Sequence, residues 1–590
     1  MTSKVRKVLS LFLVFTLVCA LIPFRGVQAQ EQSASTTIYW DDVRQEIDGF
    51  GASGAFQQAK HLMEFPEKER QEILDLLFST DEGAGFSIVR NMVGDGGINE
   101  WGNEMDGPTP TIWPKEDGPF VWTGDEDQIW LMNQAKNYGV EKFVSTVWSP
   151  PAWMKTNNSV IRGGEVREDK YQQYADYLSA YIRGYKQHHG IDIYGISLAN
   201  EPDFNASYSS SRWTGKQFKK FINENLTPTF EEDGINSKVI LGEAMAFKED
   251  PHIVVPVLED EQARERVDIV AAHAYGGDRG LGATFPTVKK YDKKLWETET
   301  SNLGTNDPTI KDGLYWAKLL HHHMTVAEAN AWFYWWFVSF KLDKGEPLIN
   351  LDIENKEYHL NKRLFTIGNY SRFIRPGYNR INTRTNGGSG IYVSAYKNAE
   401  TGEYAIVAIN ENDSSSKLNL NFDGFNATMV TDSVTSYRTS ETENLKQLDE
   451  LAVKNGEVTT ELAAKSVTTF IGKAKDVSSS VLSPIKVDEV NSIKQGSKLP
   501  VKMKLVDSEG TSIVGAEARL FVAEIVNGEV RSEVEAKSPG NANKGNLFRY
   551  DEKAGYYMFN FDSKPHSKGN YQLRIDIGGQ TVNSIQVKLR

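Results

Sequence analysis

The chain of 590 residues is longer than one hydrophobic core normally serves, so its length predicts two or three domains. With 39% apolar and 25% charged residues, its composition is that of a folded globular protein and excludes a largely disordered chain. A net charge of −13 argues against binding to nucleic acid or to an anionic membrane.

The first 29 residues predict a secretory leader. Lys4, Arg6 and Lys7 precede an apolar stretch that ends in Val-Gln-Ala at 27–29, the small-x-small pattern of a cleavage site. The leader carries four cations and no acid, so its removal changes the net charge from −13 to −17. It also holds the single cysteine, Cys19, so we expect a secreted chain with neither disulfides nor thiolate chemistry. No later segment is apolar enough to span a membrane.

From about residue 47 to 372, short apolar strands alternate with amphipathic helices. We predict eight strands, at 47–52, 86–91, 142–148, 194–199, 238–243, 268–275, 293–299 and 331–337. Eight strand–helix units in one domain predict an α/β fold of the (β/α)8 barrel type over 47–372. A doubly wound sheet is the alternative, but no glycine-rich phosphate loop follows any of the strands.

Beyond the barrel the helices stop, and polar turns separate alternating strands. This pattern predicts a β-sandwich side domain over 373–473, joined by residues 36–46, which look like part of a hairpin. The polar stretch 474–485 predicts a linker. Residues 486–590 then predict an additional C-terminal accessory module, an all-β sandwich of the Ig-like type.

Residues at the carboxyl ends of the predicted barrel strands mark the candidate site, because the lower interior of a barrel is packed. These positions are Gly51, Ser53, Arg90, Asn91, Trp148, Asn200, Glu201, Glu243, His273, Tyr275, Glu299 and Trp336. Three carboxylates on one rim fit acid–base or covalent chemistry on a neutral polar substrate. A divalent cation is the alternative, but oxygen sites usually offer an Asp-rich cluster, and the neighbours here are aromatic and amide. We therefore expect no metal and no cofactor.

Two other motifs suggest ligands but predict no site. The triplet His-His-His at 321–323 lies in a predicted helix, where consecutive side chains point about 100° apart and cannot converge on one ion. The glycines Gly94, Gly96 and Gly97 are not followed by the Lys-Ser/Thr of a phosphate-binding loop.

Two glutamates support a sharper hypothesis. A retaining glycosidase needs one carboxylic acid to protonate the leaving oxygen and one carboxylate, about 5–5.5 Å away, to attack the anomeric carbon. Glu201 follows the fourth predicted strand, and the seventh offers Glu297 and Glu299 on one face, since side chains alternate along a strand. Glu299 lies nearer the mouth, whereas Glu297 would lie one layer deeper, where an unpaired charge is costly. Glu299 is the predicted nucleophile, and Glu297 is the alternative.

Five segments, in order at the strand ends, resemble glycoside hydrolase family 30. They read IDGFGASGAF, WSPPAWMKTN, SLANEPDF, AHAYGG and LWETE, and the resemblance covers about 37–473. It implies a (β/α)8 retaining enzyme with a β-sandwich side domain. The segment STDEGAGFSIVRNMVGDGG is most similar to the xylan-cleaving branches of that family.

The resemblance implies a role for each matching residue. Glu201 corresponds to the acid/base, Glu299 to the nucleophile, and Asn200 to the amide that holds the 2-hydroxyl of the attacked sugar. Arg90 is expected to keep Glu299 ionised by charge pairing. The remaining substrate-binding candidates are His273 and Tyr275 near the nucleophile and Trp148, Trp153 and Trp336 as sugar-stacking platforms, each Trp having core packing as its alternative.

One feature of the glucuronoxylan-specific members is missing. Those members hold a glucuronate group with an arginine after the eighth or the first barrel strand, whereas the loops here read WWFVSFKLDKG and SGAFQQAKHL, with Gln58 at the second position. An amide cannot match a bidentate guanidinium at a carboxylate. Dependence on glucuronate is therefore in doubt, although Lys60, Lys341 or Arg162 could substitute.

The sequence as a whole predicts a secreted, retaining endo-β-1,4-xylanase that acts on xylan as a monomer and binds neither nucleic acid nor membrane. One alternative is another specificity of the same family, such as a β-1,6-glucanase, a galactanase or an exo-acting β-glycosidase. An alternative from another class is a non-catalytic carbohydrate-binding protein with the same barrel.

Overall fold

The computed structural model describes residues 33–590 except for 98–108, 424–428, 431–432, 455, 508–509, 515, 541 and 578–579. The predicted leader, residues 1–29, lies outside the described residues, and secretion stays a prediction. None of the helices in the described part of the chain is long and apolar enough to cross a membrane.

Eight parallel strands close into a barrel. After an outer strand, β1 (Ser33–Glu46), the barrel strands β2–β9 are Gly49–Ser53, Ile88–Met92, Lys142–Thr146, Ile193–Ser197, Lys238–Ala244, Ile269–His273, Lys294–Glu299 and Ala331–Ser339. Each pairs with the next, and β9 pairs with both β8 and β2, which closes the ring. Pro347–Asp352 and Glu357–Leu360 extend the sheet beside β9, and Asn302–Thr305 pairs with Lys344–Gly345. The predicted (β/α)8 fold with an all-β region is confirmed.

The helices lie around the barrel. The α-helices α1–α11 are Gln58–Met63, Glu67–Phe78, Glu126–Asn137, Tyr171–His189, Gly215–Phe221, Thr227–Glu232, Val255–Leu258, Glu261–Arg266, Pro286–Lys290, Ile310–His322 and Lys362–Ser371. Short 3-10 or π segments are Ala152–Met154, Glu168–Lys170, Ile222–Leu226 and His323–Ala327. On α4, five side chains that recur at helical spacing are buried: Tyr171, Tyr174, Leu178, Tyr181 and Tyr185. This stripe packs on the barrel, and Gly190, with a φ of 66°, ends the helix.

The all-β region beside the barrel is built around β1. This strand pairs antiparallel with Asn379–Gly387 and parallel with Ser416–Asp423, so residues 36–46 lie in one continuous strand with register shifts rather than in a hairpin. The other strands of this ten-stranded sheet are Ile391–Lys397, Glu403–Asn410, Ser433–Thr439, Lys446–Gln447, Leu451–Ala452, Glu457–Leu462 and Ser466–Lys473. One face of the sheet encloses its own core, whereas Ala405 and Val407 on the other face join the core of the barrel.

Two further sheets form the C-terminal part of the chain. One contains Met429–Val430, Lys475–Leu482, Lys498–Asp507, Arg549–Asp551 and Tyr556–Asp562. The other contains Asn491–Ile493, Ala518–Val526, Glu529–Val530, Val534–Glu535, Gly569–Ile577 and Gln580–Leu589. The two sheets share a separate apolar core, to which both Tyr557 and Tyr571 contribute.

The stretch 474–485, which its polar composition predicts to be a linker, contains a strand instead. In the strand Lys475–Leu482, residues 477–482 pair with residues 502–507 of the strand Lys498–Asp507. Val477 is buried in the C-terminal core and Val481 packs against it. The prediction fails because three consecutive serines, 478–480, lie between these two valines and conceal the period of two.

Candidate active site

The two predicted catalytic glutamates lie where β5 and β8 reach the mouth of the barrel. Glu299 is the last residue of β8, and Glu201 follows β5 by four residues, in a left-handed backbone conformation with a φ of 43°. Both side chains are almost fully buried. One oxygen of Glu201, one oxygen of Glu299 and one ring nitrogen of His273 all lie within 4.8 Å of one another. The fold thus brings the two carboxyl groups, 98 positions apart in sequence, face to face.

A single arginine connects most of the polar groups on the floor of the site. Arg90, in the middle of β3, donates from Nη1 to Glu299 Oε2 at 2.7 Å and from Nη2 to Asn200 Oδ1 at 2.8 Å. Its Nε donates to Thr146 Oγ1 at 3.1 Å, and Nη2 lies 3.3 Å from Glu243 Oε1. The guanidinium therefore orients both the carboxylate of Glu299, the nucleophile candidate, and the side-chain amide of Asn200.

Glu299 is held at both of its oxygens. Arg90 occupies Oε2, and the hydroxyl of Tyr275 donates to Oε1 at 3.0 Å. Burial raises the pKa of Glu299 above its ordinary value, although His273 and Arg90 act in the opposite direction. These donors orient the carboxylate and favour its ionised form.

His273, the last residue of β7, lies between the two glutamates. Its Nδ1 is 3.2 Å from Glu201 Oε1, and its Nε2 is 3.8 Å from Glu299 Oε2 and 3.9 Å from Glu243 Oε1. Burial alone would lower the pKa of this ring, but the carboxylates of Glu299, Glu201 and Glu243 raise it to about 10. At neutral pH His273 is therefore a cation.

Glu243 is a third buried carboxylate of the site, and no motif in the sequence indicates a specific role for it. It lies in β6, accepts a hydrogen bond from Ser197 Oγ at 2.7 Å and contacts both Arg90 and His273. Burial alone would raise the pKa of Glu243, but Arg90 and His273 lower it to about 2. The only signal in the sequence was its position at a strand end.

The alternative nucleophile, Glu297, lies deeper in the barrel. It is fully buried, and its Oε2 accepts a hydrogen bond from the backbone N–H of Phe333 at 3.2 Å. Burial raises the pKa of Glu297 to about 8, so the group is protonated at neutral pH. A neutral carboxylic acid one layer below the mouth is not placed to attack a sugar.

Tyr208 is a further contact of Glu201 that the sequence did not reveal. Its hydroxyl donates to Glu201 Oε2 at 2.6 Å from the loop that follows β5. Burial, together with the charge of Glu201, raises the pKa of Tyr208, so the phenol remains a donor. No motif or periodicity marks this residue.

Three β-bulges shape the mouth of the barrel. Glu243 is an extra residue of β6 against β7, and Thr298 is an extra residue of β8. Strand β9 has one extra residue against β2 between Phe333 and Trp336. A bulge re-aims the side chains beside it, and the one in β9 lets Trp335 and Trp336 line the same cavity.

The glutamates open into an aromatic cavity of about 580 Å³. Its described lining consists of Phe56, Trp148, Glu201, Phe204, Asn205, Ala206, Ser207, Tyr208, Met245, Tyr275, Gly276, Glu299, Leu303, Trp335, Trp336 and Glu346. The charged members of this set are three glutamates, and it contains neither Lys nor Arg. Large flat rings with a few converging polar groups are typical of a site for a neutral, ring-shaped ligand.

The three predicted tryptophan platforms differ in position. Trp148 and Trp336 line the cavity, and Trp335, which was not predicted, stacks on Trp336 with ring centres 4.9 Å apart. Trp153 is not among the described lining residues. It packs edge-to-face on Trp113 at 5.1 Å and donates its indole N–H to the Trp113 carbonyl, which is the packing role considered as its alternative.

The groups considered for a glucuronate contact also differ in position. Gln58 is buried and donates to a backbone carbonyl. Lys341 lies 3.5 Å from Glu346, a lining residue, so its charge is neutralised at the cavity wall. Lys60 and Arg162 are exposed and do not belong to the described lining.

Within the described part of the chain, Glu201, His273 and Glu299 are also close enough to share a cation. The chemistry of the set does not favour a cation, because a protonated His273 cannot act as a ligand and Arg90 already neutralises Glu299.

The three consecutive histidines at 321–323 do not form a shared cation site among the described residues either. Burial lowers the pKa of His323 to about 3, and its ring accepts from Trp332 and meets the Arg279 carbonyl.

Comparison with known proteins places this geometry in a family. The family model described as glycosyl hydrolase family 59 matches residues 47–346, half of the chain. Glucuronoxylanase XynC of Bacillus subtilis is 28% identical over 490 residues, which cover 80% of this chain and 100% of that protein. Human galactocerebrosidase (Homo sapiens) is 28% identical over 285 residues, 48% of this chain and 36% of that protein.

A solved structure supports the same grouping. The catalytic domain of GH30 xylanase C from Talaromyces cellulolyticus superposes with a TM-score of 0.64 at 26% identity, covering 74% of this chain and 100% of that one. The resemblance to family 30 predicted from the sequence is confirmed by these matches. The chain therefore belongs to glycosyl hydrolase family 59 as that model defines it, and is a glycoside hydrolase with the barrel and β-rich architecture of the family 30 xylanases.

Proposed function

We propose that the protein is a secreted, retaining β-1,4-xylanase. The observation that supports this most directly is the close approach of Glu201 and Glu299, whose nearest oxygens lie within 4.8 Å at the base of an aromatic cavity. Retaining glycosidases hold their carboxyl groups about 5–5.5 Å apart, whereas inverting enzymes need about 6.5–9.5 Å to admit a water. The xylanase relatives that span this chain's barrel and β-rich region support xylan as the substrate.

The two glutamates take complementary roles. Glu299 attacks the anomeric carbon as the glycosidic bond breaks, and the leaving oxygen takes the proton of Glu201. Glu201, now ionised, removes a proton from a water that attacks the same carbon and releases Glu299. Both glutamates then return to their starting protonation states.

The charges around these glutamates fit one exchangeable proton. Glu201, Glu243 and Glu299 bring three carboxyl groups, and Arg90 and His273 bring two cations. With Glu243 and Glu299 ionised, the two cations are balanced, and the site is neutral when Glu201 carries a proton. Departure of that proton leaves a single negative charge, which His273 and Tyr208 stabilise at the oxygens of Glu201.

Asn200 is joined to Glu299 through Arg90, which donates to both side chains. Arg90 donates to Asn200 Oδ1, which leaves the amide N–H groups as the free end of the side chain. In retaining enzymes a hydrogen bond to the 2-hydroxyl strengthens in the transition state. We infer that Asn200 makes this contact.

Linear or neutrally substituted xylan fits the cavity better than glucuronate-dependent cleavage. The described lining carries glutamates and no cation, and Lys341 at its edge is paired with Glu346. A carboxylate-bearing side group would find no Lys or Arg in that described lining to pair with. The leader supports action outside the cell, and we propose a monomer that requires neither metal nor cofactor.

Substitution of the two glutamates tests this function. Glu201→Ala and Glu299→Ala are each expected to lower turnover on xylan by orders of magnitude while the melting temperature stays close to that of the wild type. Glu297→Gln is the matched control, since that buried acid is already protonated, and it should retain activity. Proton NMR of the first product should show the β-anomer. Full activity in either alanine variant would contradict the assignment.

Another specificity of the same site is the second candidate. The match to human galactocerebrosidase over the barrel shows that this type of chain is not restricted to xylanases. A product profile on glucuronoxylan, arabinoxylan, linear xylo-oligosaccharides, β-1,6-glucan, galactan and aryl glycosides separates these possibilities. Absence of hydrolysis on all of them would instead favour a carbohydrate-binding protein.

A further inference from the structure

The Tyr208 hydroxyl reaches Glu201 from a loop that has no helix or extended strand. This loop, residues 198–214, runs from the end of β5 to the start of α5. The hydroxyl of Tyr208 donates to Glu201 Oε2 at 2.6 Å. Because a loop is held only by the contacts it makes, the position of this donor depends on what the loop is attached to.

The loop is attached to its neighbour on both sides of Tyr208. The backbone N–H of Arg162 donates to the Ala206 carbonyl at 2.8 Å, and the N–H of Ser210 donates to the Val160 carbonyl at 2.9 Å. Both partners lie in the loop that follows β4. Tyr208 therefore lies between two residues, Ala206 and Ser210, whose backbones are hydrogen-bonded to the loop that follows β4.

Lys155 adds a charged contact at the same point. Its side chain is completely buried, and its ammonium group donates to the carbonyl of Ser210, two residues past Tyr208. Burial lowers the pKa of Lys155 to about 7, and the nearby charge of Asp95 opposes this. A buried ammonium is costly, so its presence here calls for a physical reason.

Asp95 supplies the opposite charge from a third loop, the one that follows β3. It is buried, and its Oδ1 accepts a hydrogen bond from the N–H of Gly97 at 2.9 Å. Burial raises the pKa of Asp95 to about 7. Lys155 therefore joins the loops after β4 and β5 through Ser210, and Asp95 in the loop after β3 is near enough to act on the charge of Lys155. The proposed chemistry uses neither residue.

We propose that Lys155, with Asp95 as its buried counter-charge, is a positioning residue that fixes the backbone at Ser210 and so holds the Tyr208 hydroxyl against Glu201. This proposal rests on Glu201 being the acid/base. Neither Lys155 nor Asp95 contacts the reacting atoms. A hydrogen bond donated to a carboxylate favours its ionised form, so this contact helps to set the pH above which the enzyme loses its acid.

The other groups around Glu201 also influence that pH. From its own loop these are Tyr208 and Asp203; from the neighbouring strands they are His273 of β7, Glu299 of β8, Glu243 of β6 and Arg90 of β3. Substitution of Lys155 or Asp95 leaves all of them in place, so a change in the pH profile reports on the position of Tyr208.

The test compares Lys155→Met, Asp95→Asn, Tyr208→Phe and the double variant of Lys155→Met with Tyr208→Phe. The pH dependence of kcat/KM on xylan is measured for each. Loss of the Tyr208 donor should move the alkaline limb upward by about one pH unit. Lys155→Met and Asp95→Asn should move it in the same direction by about half as much, and Lys155→Met should add nothing in the Tyr208→Phe background.

Lys170→Met is the matched control, because Lys170 is also buried at a loop end but pairs with Glu116. It should leave the alkaline limb unchanged. Hydrogen–deuterium exchange of residues 202–212 should accelerate in Lys155→Met and not in Lys170→Met.

Two results would overturn the proposal: a wild-type pH profile with wild-type exchange in Lys155→Met, or an equal shift in the presence and absence of Tyr208. If the wild type cleaves no xylan, the proposed function fails. Exchange in residues 202–212 then still decides whether Lys155 fixes the loop.

Discussion

At the scale of single residues, the site depends on Glu243, a fully buried carboxylate that is not among the described lining residues of the cavity. It contacts both cations of the site, Arg90 at 3.3 Å and His273 at 3.9 Å. Each cation in turn contacts a proposed catalytic glutamate. Glu243 therefore stabilises the charged forms of Arg90 and His273. The proposed catalytic glutamates require these two positive charges beside them.

We predict that Glu243→Gln lowers the pKa of His273 below its value of about 10, because the variant removes one of three carboxylates that raise it. The ring then loses its proton at lower pH than in the wild type. Titration of histidine labelled with carbon-13 measures the shift directly. Ser197→Ala, which removes only a hydroxyl partner of Glu243, is the control. An unchanged His273 titration in Glu243→Gln would refute this role.

Glu297 gives a prediction about stability. Its pKa rises from an ordinary 4.5 to about 8 in the fold, so its contribution is fully present below pH 4.5 and is lost as the pH rises toward 8. Glutamine carries no proton to lose. The melting temperature of the wild type should therefore fall relative to that of Glu297→Gln between these two pH values. If the melting temperatures of the two proteins change equally with pH over this range, the pKa of Glu297 is not raised.

At the scale of secondary-structure elements, the bulges decide which side chains face the substrate cavity. Strict alternation along β9 would point Trp335 and Trp336 to opposite sides, but the extra residue before Trp336 lets both line the cavity. Trp153 belongs to a short 3-10 segment and packs on Trp113. The first pair is placed for binding and Trp153 for packing.

We therefore expect Trp336→Ala and Trp153→Ala to have opposite signatures. Trp336→Ala removes a ring from the cavity wall and should raise KM for xylo-oligosaccharides about tenfold or more. Trp153→Ala should leave KM unchanged and lower the melting temperature, since it removes partly buried packing area. Steady-state kinetics and thermal melts distinguish the two. A raised KM in Trp153→Ala alone would reverse this assignment.

The sequence predicted those parts of the site that follow from strand order. Glu201 and Glu299 lie at the ends of apolar runs, and eight such runs define a barrel whose strand ends meet at one rim. It did not predict Tyr208, because irregular loops have no periodicity, nor the orientation of Glu243 and Trp335, because a bulge leaves no mark in the pattern. The strand at Lys475–Leu482 was missed because serines resemble a linker.

At the scale of the whole molecule, the described residues form two units whose apolar cores are separate. The barrel and one face of the ten-stranded sheet share a single apolar cluster, whereas the C-terminal sheets enclose another. The single cysteine, Cys19, lies in the predicted leader, so no disulfide is expected to join them. Packing alone therefore determines which parts unfold together.

Calorimetry should accordingly show two thermal transitions. The larger should comprise the barrel with its side sheet, and the smaller the C-terminal sheets. A chain that ends at Lys473 should retain the larger transition, lose the smaller one and keep its activity on soluble xylan. A single transition for the full chain, with loss of activity in the shortened one, would show that the two cores unfold as one.

The strand that replaces the expected linker has a mechanical consequence. One residue, Ala474, separates the last strand of the side sheet from Lys475–Leu482, which also pairs with Met429–Val430. A joint this short gives the catalytic barrel almost no radius of search around its C-terminal partner. If the two units bind an insoluble fibre together, neither can move along it while the other stays bound. The whole enzyme must then dissociate and bind again before it cleaves at a distant position.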